Sequence, residues 1–244
     1  MFEKLSILDF VAPVFMLVLW LGYSLAAAHF GRSGSRSIMA VTHDYRVLWM
    51  RRMLDRDMRV GDINICSAMG RSASTFASTS IFIMAGLITL FGALDQINAV
   101  LGDISFVAST DRLLIEIKLM ILVLIFVFAF FKFAWSMRQF NFALILIGGA
   151  PMPAEPDVPD RVGFSERTAS VIDRATNSFN HGLRAYYFAL ATLTWVVHPV
   201  VFMVAAVLVL AVLYRREFRS HTHRFLVEAG ANLANETLKN DPKN

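Results

Sequence analysis

Four long stretches almost without charge decide what this chain can become: residues about 8–28, 74–94, 113–135 and 187–214. A helix needs roughly 20 predominantly apolar residues to cross the hydrocarbon core of a bilayer, and each stretch reaches that length. The runs are continuous and lack the alternation of outer-membrane barrel strands. With 56% hydrophobic and only 17% charged residues, the expected fold class is all-α, a multi-pass transmembrane helical bundle with four spans and amphipathic extramembrane helices. Residues 1–214 would form the membrane domain and 215–244 a polar, helical C-terminal tail. The first stretch is longer than a signal-peptide core and carries Trp20 and Tyr23, so it reads as a retained span. The single cysteine, Cys66, rules out an intrachain disulfide or a Cys-based metal cluster.

Orientation follows from the arginines. The segment 29–73 carries Arg32, Arg36, Arg46, Arg51, Arg52, Arg56, Arg59 and Arg71, whereas the next connection holds Asp95, Asp103 and Asp111. The positive-inside bias places the basic loop in the cytoplasm of a bacterial inner membrane and, with four spans, both termini outside. The tail opens with YRREFRSHTHR, which would be more natural inside. A short insertion of 140–150, FNFALILIGGA, would reconcile the two.

Within the basic loop, Val47, Met50, Leu54 and Met58 recur at helical spacing beside Trp49, Arg51 and Arg52. Such a helix suits an anionic leaflet, with Trp49, Arg51 and Arg52 as interface anchors. Asp62 is the expected N-cap of the helix feeding the second span, and Ser165 of the one leading to the fourth; GGAPMPAEPDVPD separates helices. The net charge is only +4, with aspartates among the arginines, and no base-stacking module accompanies them, so no nucleic-acid partner is expected.

Gly70, Ser74 and Ser78 recur every four residues, as do Ala73 and Ala77. Small residues at that spacing make a face on which another helix packs closely; the alternative is a hydrated lining. Glu116, Lys118, Lys132 and His198 are the ionisable candidates inside spans, where such groups are functional hypotheses by default. The structural alternatives are snorkelling lysines near the ends, an Arg112–Glu116 pair one turn apart, and a histidine that bridges helices. His198 is expected near mid-depth, with Pro199 weakening the helix there. His29 and His181 fall on one expected face and could ligate a b-type haem. No other cofactor and no metal site is expected, since His221 and His223 are spaced for a strand or loop instead of a helix face. No dinucleotide, P-loop, zincin or nucleophile-elbow motif occurs, so the chain is not expected to be an enzyme.

HDYRVLWMRRML, GRSASTFASTSI, LLIEIKLMILVLIFVFAFFKFAW and GLRAYYFALATLTWVVHPVVF follow one another in this order. Together they resemble an uncharacterised family of integral membrane proteins, domain of unknown function 599 (DUF599), over about Tyr23 to Tyr214. The most specific part is Gly182-Leu183-Arg184-Ala185-Tyr186-Tyr187 followed by Pro199. The resemblance implies a multi-span protein and transfers no catalytic residue. Arg184, Tyr186 and Tyr187 themselves read as an anchor, aromatics at the headgroup level with a guanidinium for lipid phosphate. The expected partners are anionic membrane lipids, and a second copy or another inner-membrane complex. The expected function is assembly, as a homo-oligomer or an accessory subunit. A channel or transporter for an ion or small solute is the alternative, and a b-haem protein a third.

Overall fold

The structure, a computed structural model, describes residues 7–30, 38–94, 96, 112–155, 160–218, 221 and 224–229. Among the described residues there are six long helices: α1 Ile7–Phe30, α2 Ile38–Leu54, α3 Val60–Phe91, α4 Arg112–Gly148, α5 Arg161–Leu193 and α6 Pro199–Phe218. Of these, α1, α3, α4 and α6 are long and apolar enough to cross a membrane. The protein is a helical membrane protein, with four such helices among the described residues.

The fourth apolar helix differs from the expected 187–214. The chain breaks after α5, passes through a 3-10 turn at Thr194–Val196, and starts α6 at Pro199. His198 is the residue before α6, and its Nδ1 accepts from the Val200 amide at 3.1 Å, the work of an N-cap. Pro199 fits the first helical position, where its missing amide proton costs nothing. His198 is therefore a turn residue rather than a mid-span one, and Pro199 begins a helix rather than kinking one. Beyond the turn the chain reverses. Arg216, near the end of α6, donates to the Tyr187 hydroxyl of α5 at 2.9 Å.

That reversal puts the second half of α5 among all four apolar helices. Phe188 stacks on Trp20 of α1 at 5.1 Å, Tyr186 bonds Ser80 of α3 at 2.9 Å, and Gly182 abuts Phe133 of α4. Ala185, Phe188, Ala189, Ala191 and Thr192 are all buried. The least apolar long helix thus occupies the middle of the bundle, its polar groups facing protein. A first core, including Leu122, Phe126, Phe133, Phe188 and Trp195, fills this bundle.

A second core lies at the other end of the long helices. At about 1.5 Å per residue, α3 (32 residues) and α4 (37 residues) run roughly 48 and 55 Å, well past a hydrocarbon core of about 30 Å. Met50, Met53 and Leu54 of α2, Cys66 of α3, Phe140, Ala143 and Ile147 of α4, and Ala169, Ile172 and Ala175 of α5 close it. Residues 140–150 are therefore the end of α4 and the turn after it, packed in this head, and no insertion of their own. The apolar side of α2 is likewise spent on protein, which leaves it no apolar face to lay on a leaflet.

The α5 helix starts earlier than its expected Ser165 cap. Asp160 caps it from the left-handed region (φ 62), accepting from the Gly163 amide at 2.9 Å. A Cβ on Gly163 would stand 2.2 Å from that carboxylate, so a larger residue there would push the exposed Asp160 side chain out of its capping position. Ser165 instead turns its hydroxyl to the Val162 carbonyl. The tail also lies elsewhere than expected: the Tyr45 hydroxyl of α2 donates to the Leu226 carbonyl at 3.1 Å. The tail and the basic loop share one end of the molecule, while the start of α1 is at the other.

Candidate functional site

At that far end, Lys118 is 3% exposed. Its Nζ donates to the Trp195 carbonyl at 2.9 Å and stands 3.9 Å from Asp9 Oδ1. Trp195 Nε1 donates to the same Asp9 oxygen at 3.0 Å. The cluster joins α1, α4 and the α5–α6 turn, and each buried polar group in it has a partner, as burial requires. Nearby Glu116 accepts from Arg112 Nε at 3.1 Å in a partly exposed pair. Lys132 is about four turns further along α4, its Nζ 5.3 Å from the Phe128 ring centre. The four ionisable candidates, with His198 capping α6, are thus distributed over separate structural roles.

The small residues of α3 divide between two faces. Gly70, Ala73 and Ala77 are buried on the side facing α4, where a Cβ on Gly70 would meet Phe140 Cβ at 3.5 Å. Ser74 is half-buried and Ser78 exposed. On the outward side, Thr75 and Thr79 donate to the carbonyls of Arg71 and Thr75, so their hydroxyls are satisfied without a neighbour. There Phe82 is 76% exposed, and the residues one turn before and after it, Ser78, Thr79, Ala85 and Gly86, are small and exposed.

The interface anchors expected in α2 have other partners. Trp49 Nε1 and Arg56 both donate to Asp62 Oδ1 at 2.6 Å; Asp62 is buried in the first turn of α3 and does not cap it. Arg59 reaches across to the carbonyls of Ala150 and Pro151. Arg51 pairs with Glu166 at 3.1 Å on the exposed side, and Arg52 is exposed. Asp173 of α5 is gripped by His43 and by Arg46, the latter at 2.5 Å. These bonds clamp the head together.

Where α6 meets the middle of α5 there is a half-open recess lined by Tyr23, Asn180, Leu183, Arg184, Tyr187, Leu213, Arg216 and Glu217. Arg184 is 8% exposed, with its guanidinium carbon 5.0 Å from the centre of the Tyr23 ring. Tyr187 accepts from Arg216 at the rim. Tyr186 points away into the bundle, bonding Ser80 and the Phe76 carbonyl, so the expected anchor trio splits. Of the paired haem candidates, His181 lies near Arg184 and Lys132, while the His29 side chain lies outside the described residues, as do His223, Arg32, Arg36, Asp95, Asp103, Asp111 and residues 230–244. His221 is exposed.

Sequence reasoning passed over Asp9, Tyr23, Asp173 and Arg216 as partners. Asp9 carried a signal, since a carboxylate inside an apolar stretch demands a cation or donor. For the others only the register of the helices brings the groups together.

Residues 11–222 match the family described as "Protein of unknown function, DUF599", and the chain belongs to that family. The match runs past Tyr214 into the tail. No curated protein and no solved structure matches the chain.

Proposed function

We propose that this DUF599 member is a bacterial inner-membrane protein that acts by assembly, pairing with a second copy of itself through the outward face of α3. One observation carries the proposal: Phe82 projects from a ring of small residues, Ser78, Thr79, Ala85 and Gly86. A bulky side chain one turn from a glycine is both knob and hole, so two copies can each insert Phe82 beside the other's Gly86. Self-complementary patches suit a two-fold pair, and small residues let helices in lipid approach closely. The outward faces of α1 and α6 present Leu17, Val18, Leu21 and Leu25, and Val200, Val204, Val207 and Leu208, the bulky surface that lipid chains accept; α3 also exposes Ile81 and Ile88, so the small residues are confined to the turns before and after Phe82. The ionisable candidates of the transport alternative are engaged in caps, pairs and the Asp9 cluster, which favours assembly over a conducting path. Arg51, Arg52 and Arg56 lie at the same end as Arg215 and Arg216, so the positive-inside bias is met by one orientation, with the head and tail in the cytoplasm.

The test is the mass of the protein extracted in native lipid particles. Twice 27.4 kDa is expected, falling to one chain in Gly86→Leu. A Cβ at Gly86 meets nothing within 4 Å, so this change leaves the single chain intact. A foreign protein at fixed ratio, lost in Gly86→Leu, would replace the second copy by an accessory partner. A lone chain in the wild type, or no response to Gly86→Leu, refutes the proposal.

A further inference from the structure

Arg184 poses a problem that the chain leaves open. Its guanidinium offers five N–H donors and cannot be deprotonated. It is nine-tenths buried, yet among the described residues its close partner is the face of the Tyr23 ring, and it has no hydrogen bond or ion pair. No Arg184 nitrogen is among the sealed, unpartnered atoms of the described residues, so the guanidinium is open to an incoming acceptor. The donors line the recess closed by Tyr23 of α1, Asn180 and Tyr187 of α5, and Arg216 of α6. These add two hydroxyls, an amide and a second guanidinium, all able to donate. Glu217 is the one acid on the lining, so with Arg184 and Arg216 the formal charge is +1.

We propose that this recess binds the phosphate of an anionic phospholipid headgroup, one per chain, with Arg184 as the inner clamp and Arg216 and Tyr187 at the rim. The planar fork of arginine matches two phosphate oxygens at once. A charge of +1 is balanced by a phosphodiester, which carries one negative charge. The recess holds about 30 Å³, roughly two waters on the measure in which one needs about 10–15 Å³. That admits the inner oxygens of a phosphate, while the rest of the molecule that carries it lies outside the recess. Position argues for a lipid source: Tyr23 is near the end of α1, and Leu213, Arg216 and Glu217 near the end of α6, the level at which aromatic and basic residues meet headgroups.

Native mass spectrometry of the purified full chain in neutral detergent, titrated separately with phosphatidylglycerol, phosphatidylcholine and inorganic phosphate, tests this. One phosphatidylglycerol should be retained per chain in preference to phosphatidylcholine. Loss of a charge-assisted clamp predicts roughly tenfold to a hundredfold weaker binding in Arg184→Gln, and the exposed rim variant Arg216→Gln should weaken it by at most about fivefold. Without lipid, Arg184→Gln should unfold at a temperature close to the wild type, because the guanidinium makes no hydrogen bond or ion pair to the described residues of the chain and contacts only the face of the Tyr23 ring; a merely structural arginine would lower it. Equal retention of the two lipids, or phosphatidylglycerol binding unmoved in both variants, overturns the proposal. Saturation by inorganic phosphate at the lipid's concentration overturns the lipid source and makes this a site for a soluble anion.

Discussion

The α4–α5 contact at Gly182 is tight enough to be tested by adding one carbon. A Cβ there would lie 2.6 Å from Cε1 and 2.7 Å from Cζ of Phe133, where carbon atoms rest comfortably at about 3.5–4.0 Å. The ring cannot easily yield. It is fully buried and packed by Phe76, Phe179 and Tyr186 at centroid distances of 5.2, 5.4 and 5.5 Å. Overpacking of this kind costs about 1–3 kcal/mol, while replacing a helical glycine by alanine returns about 1 kcal/mol. Gly182→Ala should therefore destabilise by a net ~0–2 kcal/mol. The informative experiment pairs it with Phe133→Ala, which alone should cost about 3–5 kcal/mol. Once the ring is gone, Gly182→Ala should turn stabilising by up to about 1 kcal/mol. Equilibrium unfolding in detergent micelles, followed by helical circular dichroism, gives the four free energies of the cycle. A coupling of about 1–3 kcal/mol is expected. Additivity within about 0.5 kcal/mol would refute the claim that the ring is what requires glycine.

Three further outcomes are expected. Asp9→Ala should lower stability by about 3 kcal/mol, the lower edge for breaking a buried ion pair since the charges are 3.9 Å apart, and Lys118→Met should recover part of it; a loss below about 1 kcal/mol would show that the cluster does not join α1 to α4. Arg167, and then the Gly163 amide, hold the Asp160 carboxyl below its usual 3.8; with the folded pKa depressed, its stabilisation is present above about pH 4 and disappears as pH falls through the folded value. Asp160→Asn keeps a left-handed cap and should flatten stability against pH below about 4, which unfolding curves from acid to neutral pH would show or contradict. Single cysteines at Arg52 and Phe225 should react with an impermeant maleimide from one side of sealed vesicles and one at Ile7 from the other; labelling of all three from one side would refute the arrangement of the ends.

The bundle was legible where the solvent imposes its own rule. Runs such as Leu113–Trp135 can only be helices crossing lipid, because hydrocarbon satisfies no backbone group. The second half of α5 escaped the same rule because its polar residues face protein: Tyr186 bonds Ser80 and Thr192 reaches Met16 Sδ of α1. Hydropathy runs on from Tyr187 through Tyr214, so the break at His198 leaves no dip. The clue was chemical instead, a proline directly after a residue able to cap. Small residues on α3 announce close packing but not which neighbour. Gly70 and Ala77 meet another helix of the same chain, a pairing set by how two distant helices register. The recess was half visible, since Arg184 and Tyr187 share one helix, whereas Tyr23 and Arg216 reach it from helices far apart in the chain.

Because α3, α4 and α5 pass without interruption from the inner core to the outer one, the molecule has no seam. A protease or a truncation that removed the head would sever three of the helices that hold the other half together, so neither half is a transferable module. The same rods act as levers. A tilt imposed on the four-helix head, by whatever docks there, is carried to the opposite leaflet without a joint to absorb it, so the two ends of this protein move together.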